Sequence, residues 1–382
     1  MLKTSSLKLL SKRIFYVQPL STQVQPQERL QTFRTTEDNP LNHTSEHIGQ
    51  FYKLSPDAKK QLFLHGGLPK SFEVQIKTFT ESCLMIRQPS IDIINCMKVI
   101  NYTNPVVRFV LYSKKGNGKT LSMAHVIHYA FEAGFLVVHV PWVGNWMRRC
   151  KEKSNSEFKP GNIDLNVDAA AWLMHFKHQN SHLINNSDFK TSQDYVWSKR
   201  ETTLKDTPLV ELIEHGINRI KFASQCIVAL AEEIKKLSQE GKCKTLVAID
   251  GFNGFFYPNT RILTEKKEVV HPGNVTLTEA FLNLSKCDWS NAVVVVTVDE
   301  LAIAEKDQIC CLPRYLLGKK GFEHMDPFVP VPVLAYSDKE FKSCMDYFRE
   351  RRWVLPVSGQ DEELQFLSGG NPYRLMQLCN SL

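Results

Sequence analysis

From residue 105 the chain alternates short β-branched apolar runs with longer stretches of helical period. Residues 105–112 (PVVRFVLY), 135–140 (FLVVHV), 244–250 (KTLVAID), 291–299 (NAVVVVTVD) and 327–334 (PFVPVPVL) read as strands. The prolines of the last run mark an edge or irregular strand. Between the first two runs a glycine-bearing loop leads into a helix that stops at Gly134. Strand, loop, helix and strand form a βαβ unit, which implies a parallel sheet. Residues 208–241 read as one long amphipathic helix with a glycine stop.

The remaining segments frame this core. Residues 55–63 and 90–100 read as helices ahead of the first strand. Residues 145–205 are polar, carry Trp146, Trp172 and Trp197, and read as an insertion that packs on the sheet. After the sheet, Ser337 and Glu340 make a capping box that opens a helix, and the chain ends in a helix, a Gly-Gly-Asn-Pro turn and another helix. The expected organisation is a leader over residues 1–36, an N-terminal extension with short helices over 37–104, a sheet domain over 105–335 and a small helical lid over 336–382.

Composition narrows the class. With 382 residues, 43% hydrophobic and 23% charged, the chain is long enough for one large domain or two and is not disordered throughout. The net charge of +7 is concentrated: residues 1–36 hold six basic side chains against Glu28, a net of +5 that leaves +2 for the rest. Within that segment Leu7, Leu10, Ile14 and Val17 fall on one helical stripe, the form of a mitochondrial transit peptide; the alternative reading is a disordered basic tail. No apolar run reaches the roughly 18 residues needed to span a bilayer. Ten cysteines lack metal-ligand spacing and read as reduced thiols.

The candidate chemistry lies at residues 111–120, LYSKKGNGKT. Gly116, Asn117, Gly118, Lys119 and Thr120 follow a strand and open a helix, the arrangement of a phosphate-binding loop. Backbone N–H groups and the helix N-terminus offer partial positive charge to phosphate, Lys119 adds a full charge, and Thr120 offers a hydroxyl to Mg²⁺. Ser113 stands where the pattern G-x-x-x-x-G-K-[ST] has its leading glycine. A positive φ there would cost serine on the order of 1 kcal/mol, whereas an ordinary turn would accept it. Asp250, at a strand end, is placed as the acid on the Mg²⁺ side. Gly251 and Phe252 follow it with no adjacent acid to activate water, so fast hydrolysis is not expected. Thr297 at another strand end and Arg374 after the Gly-Gly-Asn-Pro turn match sensor positions of the AAA-plus lineage, which this spacing resembles. Arg374 is equally readable as a surface arginine.

Taken in order, the loop, DYVWSKRETT (194–203), VAIDG (247–251), LLGKKGFEHMDPFVPV (316–331) and the terminal GGNP resemble the death-associated protein three family. The resemblance covers about residues 45–382. It implies an α/β P-loop NTPase fold, AAA-plus-like, with a parallel sheet, helices on both faces and a C-terminal helical lid. It also implies GTP or GDP with Mg²⁺ bound structurally by Gly116, Gly118, Lys119, Thr120 and Asp250, with slow GTP hydrolysis if any. The implied setting is the small subunit of the mitochondrial ribosome in the matrix, among ribosomal RNA and neighbouring ribosomal proteins, with no DNA and no membrane span. Basic clusters at Arg148 and Arg149, and at Arg349, Arg351 and Arg352, are candidate RNA contacts or solvated faces. The Trp197-Lys199-Arg200-Glu201 string is open between buried structure and an RNA edge. The rival readings are a free mitochondrial NTPase or switch in cell-death signalling, and a fold that binds no nucleotide and serves as a scaffold.

Overall fold

A computed structural model describes residues 33–186, 188–258, 260–303 and 310–380. Nearly all of the expected leader lies outside these residues. Its end reaches into the fold: Arg34 pairs with Glu81 at 2.7 Å and with Glu350 at 2.5 Å.

Five strands form one parallel sheet: β1 (Val107–Tyr112), β2 (Leu136–Val140), β3 (Thr245–Ile249), β4 (Ala292–Thr297) and β5 (Val329–Pro332). The spatial order is β5-β1-β4-β3-β2, with every pairing parallel. The proline-bearing β5 is an edge strand, where missing N–H donors face away from the ladder. Successive side chains alternate between two cores, and this requires apolar residues at nearly every position. Val110, Val138, Val247, Ile249, Val294 and Val296 enter the core that contains Trp146, Trp172 and Trp197. Phe109, Leu111, Val137, Leu246, Val293 and Val295 enter the core on the other face, against the helices Gln88–Val99 and Lys119–Glu132. A third core joins the lid to the N-terminal segment, with Phe51 stacked on Tyr347 at 4.5 Å.

The expected single helix over residues 208–241 is two, Leu209–Asn218 and Ala223–Gln239, joined through a short 3₁₀ turn after Arg219. A straight helix of that length would run roughly 50 Å, well beyond strands of five or six residues, so the chain breaks and packs the halves together. Gly216 permits this approach, because a Cβ there would lie 2.5 Å from Leu173 and 2.8 Å from Cys226.

Two strings singled out in the sequence acquire structural roles. In LLGKKGF, Gly318 breaks the helix Pro313–Met325 with φ 65°, and Gly321 lies against the Phe256 ring. In DYVWSKRETT, Trp197 is buried in a hairpin, stacked on His215 at 5.3 Å, and its indole N–H donates to Thr203 at 2.8 Å. Tyr195 anchors the hairpin by donating to the buried Glu233 carboxylate. Lys199 and Arg200 are exposed at the turn.

The β2 edge is closed by side chains. Asn180, fully buried, accepts from the Val137 N–H at 2.7 Å and donates to its carbonyl at 2.8 Å, as a neighbouring strand would. The Trp172 indole donates to the His139 carbonyl at 2.8 Å. Asn180→Leu orphans two buried backbone groups at about 1–3 kcal/mol each. The expected outcome is a urea midpoint lowered by the equivalent of roughly 2–6 kcal/mol with an unchanged slope; a change within a few tenths would contradict the strand-mimic role.

Candidate phosphate-binding site

The carboxyl ends of β1, β4 and β3, three adjacent strands, converge on one cavity of about 420 Å³. After β1 the chain turns through Gly116 at φ 89° and Gly118 at φ 97° before entering the helix Lys119–Glu132. Gly116 is required twice. Its φ disfavours other residues, and a Cβ would lie 2.6 Å from Asn371 Oδ1 and 2.9 Å from Tyr373 Cβ. Ser113 needs no glycine: among the described residues five non-glycine positions have positive φ, and Ser113 is not one of them. The departure from the loop pattern therefore carries no backbone strain.

Lys119 is buried, and its ammonium donates to the Ser113 carbonyl at 3.0 Å, the Ser113 hydroxyl at 3.3 Å and the Lys114 carbonyl at 3.3 Å. Burial pulls its pKa below the ordinary lysine value, opposed by Asp299 and Asp250. Among the described residues it makes no ion pair, so a formal positive charge sits in the loop without a carboxylate partner. Thr120 donates to Asp250 Oδ2 at 2.8 Å, and Thr297 donates to Asp250 Oδ1. The Gly251 N–H donates to Thr297 at 2.9 Å, which fixes that hydroxyl. Burial raises the Asp250 carboxyl to about 6, against the two hydroxyl hydrogen bonds that lower it. A charged lysine, a hydroxyl, a buried carboxylate and a helix N-terminus in one cavity are the parts needed to hold a polyphosphate with a divalent cation.

The far end of the cavity is apolar, lined by Phe51, Phe72, Leu84, Tyr336, Phe348 and Met376. It is roofed by the lid. Asn371 caps the helix Pro372–Cys379 and donates to the Lys115 carbonyl and to Asn117 Oδ1, both at 2.9 Å. The Tyr373 N–H donates to the Gly116 carbonyl at 3.2 Å. Ahead of the sheet, Arg87 places its guanidinium on the loop, donating to the Asn117 carbonyl at 2.6 Å.

Of the residues expected at the site, Ser113, Gly116, Asn117, Gly118, Lys119, Thr120, Asp250 and Thr297 come together. Arg374 does not. It is exposed and does not line the cavity, because on this helix Tyr373 and Met376, three residues apart, line the cavity and Arg374 is turned roughly 100° from Tyr373. The arginine that reaches the loop is Arg87, whose signal in the sequence was a lone cation between the apolar run 83–86 and a helix start. Asp299 lines the cavity and accepts from the Leu301 N–H at 3.1 Å as a turn cap. Gly251 has φ 73° with the Trp142 ring against it, so no carboxylate occupies the position after Asp250. Among the basic clusters, Arg349 pairs with Asp361 and Arg351 with Glu81, whereas Arg149 and Arg352 are exposed and Arg148 is half-buried.

The elevated Asp250 pKa has a consequence for stability. The group's favourable contribution is complete below its ordinary value of 3.8 and is lost as pH rises through about 6, because ionisation is disfavoured in the fold. Asp250→Asn is therefore expected to raise the urea midpoint of the ligand-free protein at pH 7.5, by on the order of 2–3 kcal/mol, with the gain vanishing near pH 4. Equal midpoints for the two proteins at pH 7.5 would refute this.

Residues 84–378 match the family described as mitochondrial ribosomal death-associated protein 3. The small ribosomal subunit protein mS29 of Bos taurus is 37% identical over 359 residues, covering 93% of this chain and 89% of that protein. The protein of the same name in Mus musculus is 35% identical over 362 residues, covering 94% and 92%. The family match spans the sheet, the loop that cradles the cavity and nearly all of the lid helix that roofs it, as the ordered strings in the sequence anticipated. This chain belongs to the mitochondrial ribosomal death-associated protein 3 family.

Proposed function

We propose that this chain is a constituent of the small subunit of the mitochondrial ribosome, in the matrix, and that it holds GTP or GDP with Mg²⁺ as a structural ligand of a P-loop NTPase fold. The observation that carries the nucleotide reading is the unpaired, buried Lys119 beside the Thr120–Asp250–Thr297 cluster. Gly116, Asn117 and Gly118 line the cavity beside Lys119, whose ammonium Ser113 holds, and the apolar part of the lining suits a nucleobase. Thr120 and Asp250 would hold Mg²⁺, whose chemistry is to neutralise phosphate charge. Family membership and the mS29 relatives support the ribosomal setting.

The same geometry favours a retained ligand over turnover. With Gly251 beneath Trp142, the position after Asp250 has no base to draw a proton from water, and hydrolysis is expected to be slow or absent. A free switch of the cell-death type would need that turnover. Arg148, Arg149 and Arg352 are the cluster arginines that make no ion pair within the described chain, so they are the proposed ribosomal RNA contacts, while Arg349 and Arg351 serve the lid through their carboxylate partners.

Two measurements test this reading. A ligand that binds only the folded state stabilises it by RT ln(1 + [L]/Kd), about 2.7 kcal/mol at a hundredfold excess. Mg²⁺-GDP should raise the thermal midpoint of the wild type and leave that of Lys119→Ala unchanged; equal responses would remove the site assignment. In a mitochondrial lysate on a sucrose gradient at low Mg²⁺, the protein should comigrate with small-subunit RNA. Recovery mainly at the top would overturn the ribosomal role.

A further inference from the structure

Arg87 lies outside the phosphate loop in sequence, yet it is 6% exposed and touches three parts of the molecule. It precedes the helix Gln88–Val99 with extended backbone, which turns its side chain towards the loop. Its Nε and Nη2 donate to the two oxygens of Glu340 at 2.9 and 3.2 Å, a planar fork on a carboxylate. Nη2 also donates to the Leu334 carbonyl at 3.0 Å, Nη1 to the Asn117 carbonyl at 2.6 Å, and the guanidinium carbon lies 5.0 Å from the Tyr336 ring centre. Glu340 in turn accepts from the Ser337 N–H at 2.9 Å and so opens the lid helix Asp338–Glu350.

The contact to Asn117 acts on the loop through peptide geometry. In a planar trans peptide the C=O and the following N–H point in opposite directions. Holding the Asn117 carbonyl on Arg87 aims the Gly118 N–H away from the guanidinium and prevents a flip that would present a carbonyl oxygen to phosphate. Gly118 has φ 97° and a Cβ would lie 3.5 Å from Nη1, so the guanidinium lies close against this peptide. The Asn117 side chain adds two further links: it donates to the Val333 carbonyl at 3.0 Å and accepts from Asn371 at 2.9 Å. The orientation of one loop peptide is thereby joined to the segment before the lid, the first lid helix and the last one.

We propose that Arg87 is a positioning residue that couples phosphate binding at the loop to closure of the C-terminal lid. This rests on the nucleotide reading above. A ligand that takes the Gly118 N–H favours the peptide orientation that Arg87 requires, and Arg87 in that position holds Glu340 and the 334–335 carbonyls. By reciprocity, lid closure tightens nucleotide binding by the same factor. Lysine cannot substitute, because a single ammonium lacks the fork that serves carboxylate and carbonyls at once.

The test uses the purified full chain, Mg²⁺-GDP as probe, and hydrogen exchange read separately over the loop helix and the lid. In the wild type, Mg²⁺-GDP should add protection both to 119–132 and to 338–379. Arg87→Lys should bind Mg²⁺-GDP about tenfold more weakly, within the usual range of coupling factors, and the nucleotide should still protect 119–132 but add nothing to the lid. Wild-type affinity together with a wild-type lid response would overturn the proposal. So would lid protection lowered equally with and without nucleotide, which is the signature of a purely structural residue. If Arg87→Lys does not fold, Glu340→Gln carries the test: it should bind Mg²⁺-GDP while losing the added lid protection, and an unchanged lid response would overturn the coupling. Failure of the wild type itself to bind Mg²⁺-GDP would instead bring down the nucleotide reading and this proposal with it.

Discussion

A guanidinium taken out of water must find acceptors for its donors or the fold does not form. Arg87 finds them in a carboxylate 253 residues away, in a loop carbonyl 30 residues away and in the segment that leads to the lid. None of these partners is available until the N-terminal segment, the sheet and the lid are all in place. The N-terminal segment is therefore an integral part of the site. Its strand Phe51–Lys53 and helix Lys70–Phe79 meet the lid through Phe51, Phe79 and Tyr347, and the Arg34, Glu81, Glu350 and Arg351 ion pairs close the same seam.

Much of the sheet was legible in the sequence because its physical demand is simple. A parallel strand covered on both faces needs apolar, β-branched residues almost throughout, and few other structures produce runs such as AVVVVT. The edge position of β5 was legible from its prolines, and the lid helix from Ser337 and Glu340, for equally local reasons. Where the determinants are distant, reading along the chain failed. The break at Arg219 follows from the size of the sheet, and the amphipathic period runs straight through it. Arg349 and Arg351 looked like a free basic cluster, but Asp361 and Glu81 neutralise them in space.

The loop shows the same division. Gly116, Gly118, Lys119 and Thr120 were legible as a candidate loop because their residue types stand at the fixed spacing of a known pattern between a strand and a helix. The meaning of Ser113 depended on one backbone angle, which no composition reveals. Its burial turns the serine into a partner for Lys119: both its carbonyl and its hydroxyl accept from the ammonium. Of the two readings of Arg374 the surface one holds, and Tyr373 meets the loop, because a helix face is set by how its cap docks, and Asn371 docks on Lys115 and Asn117.

The two rims of the sheet share a property with consequences for assembly. Unpaired strand edges recruit strands from other chains, in recognition and in aggregation alike. On the β2 rim the outward-facing Val137 N–H and the Val137 and His139 carbonyls are already held by Asn180 and Trp172. On the β5 rim Pro330 and Pro332 have no N–H to give. An incoming chain thus has little backbone with which to extend the sheet at either rim. Neighbours of this protein must recognise it by side chains on helices and turns, and a newly made chain is spared the commonest route to strand-mediated clumping.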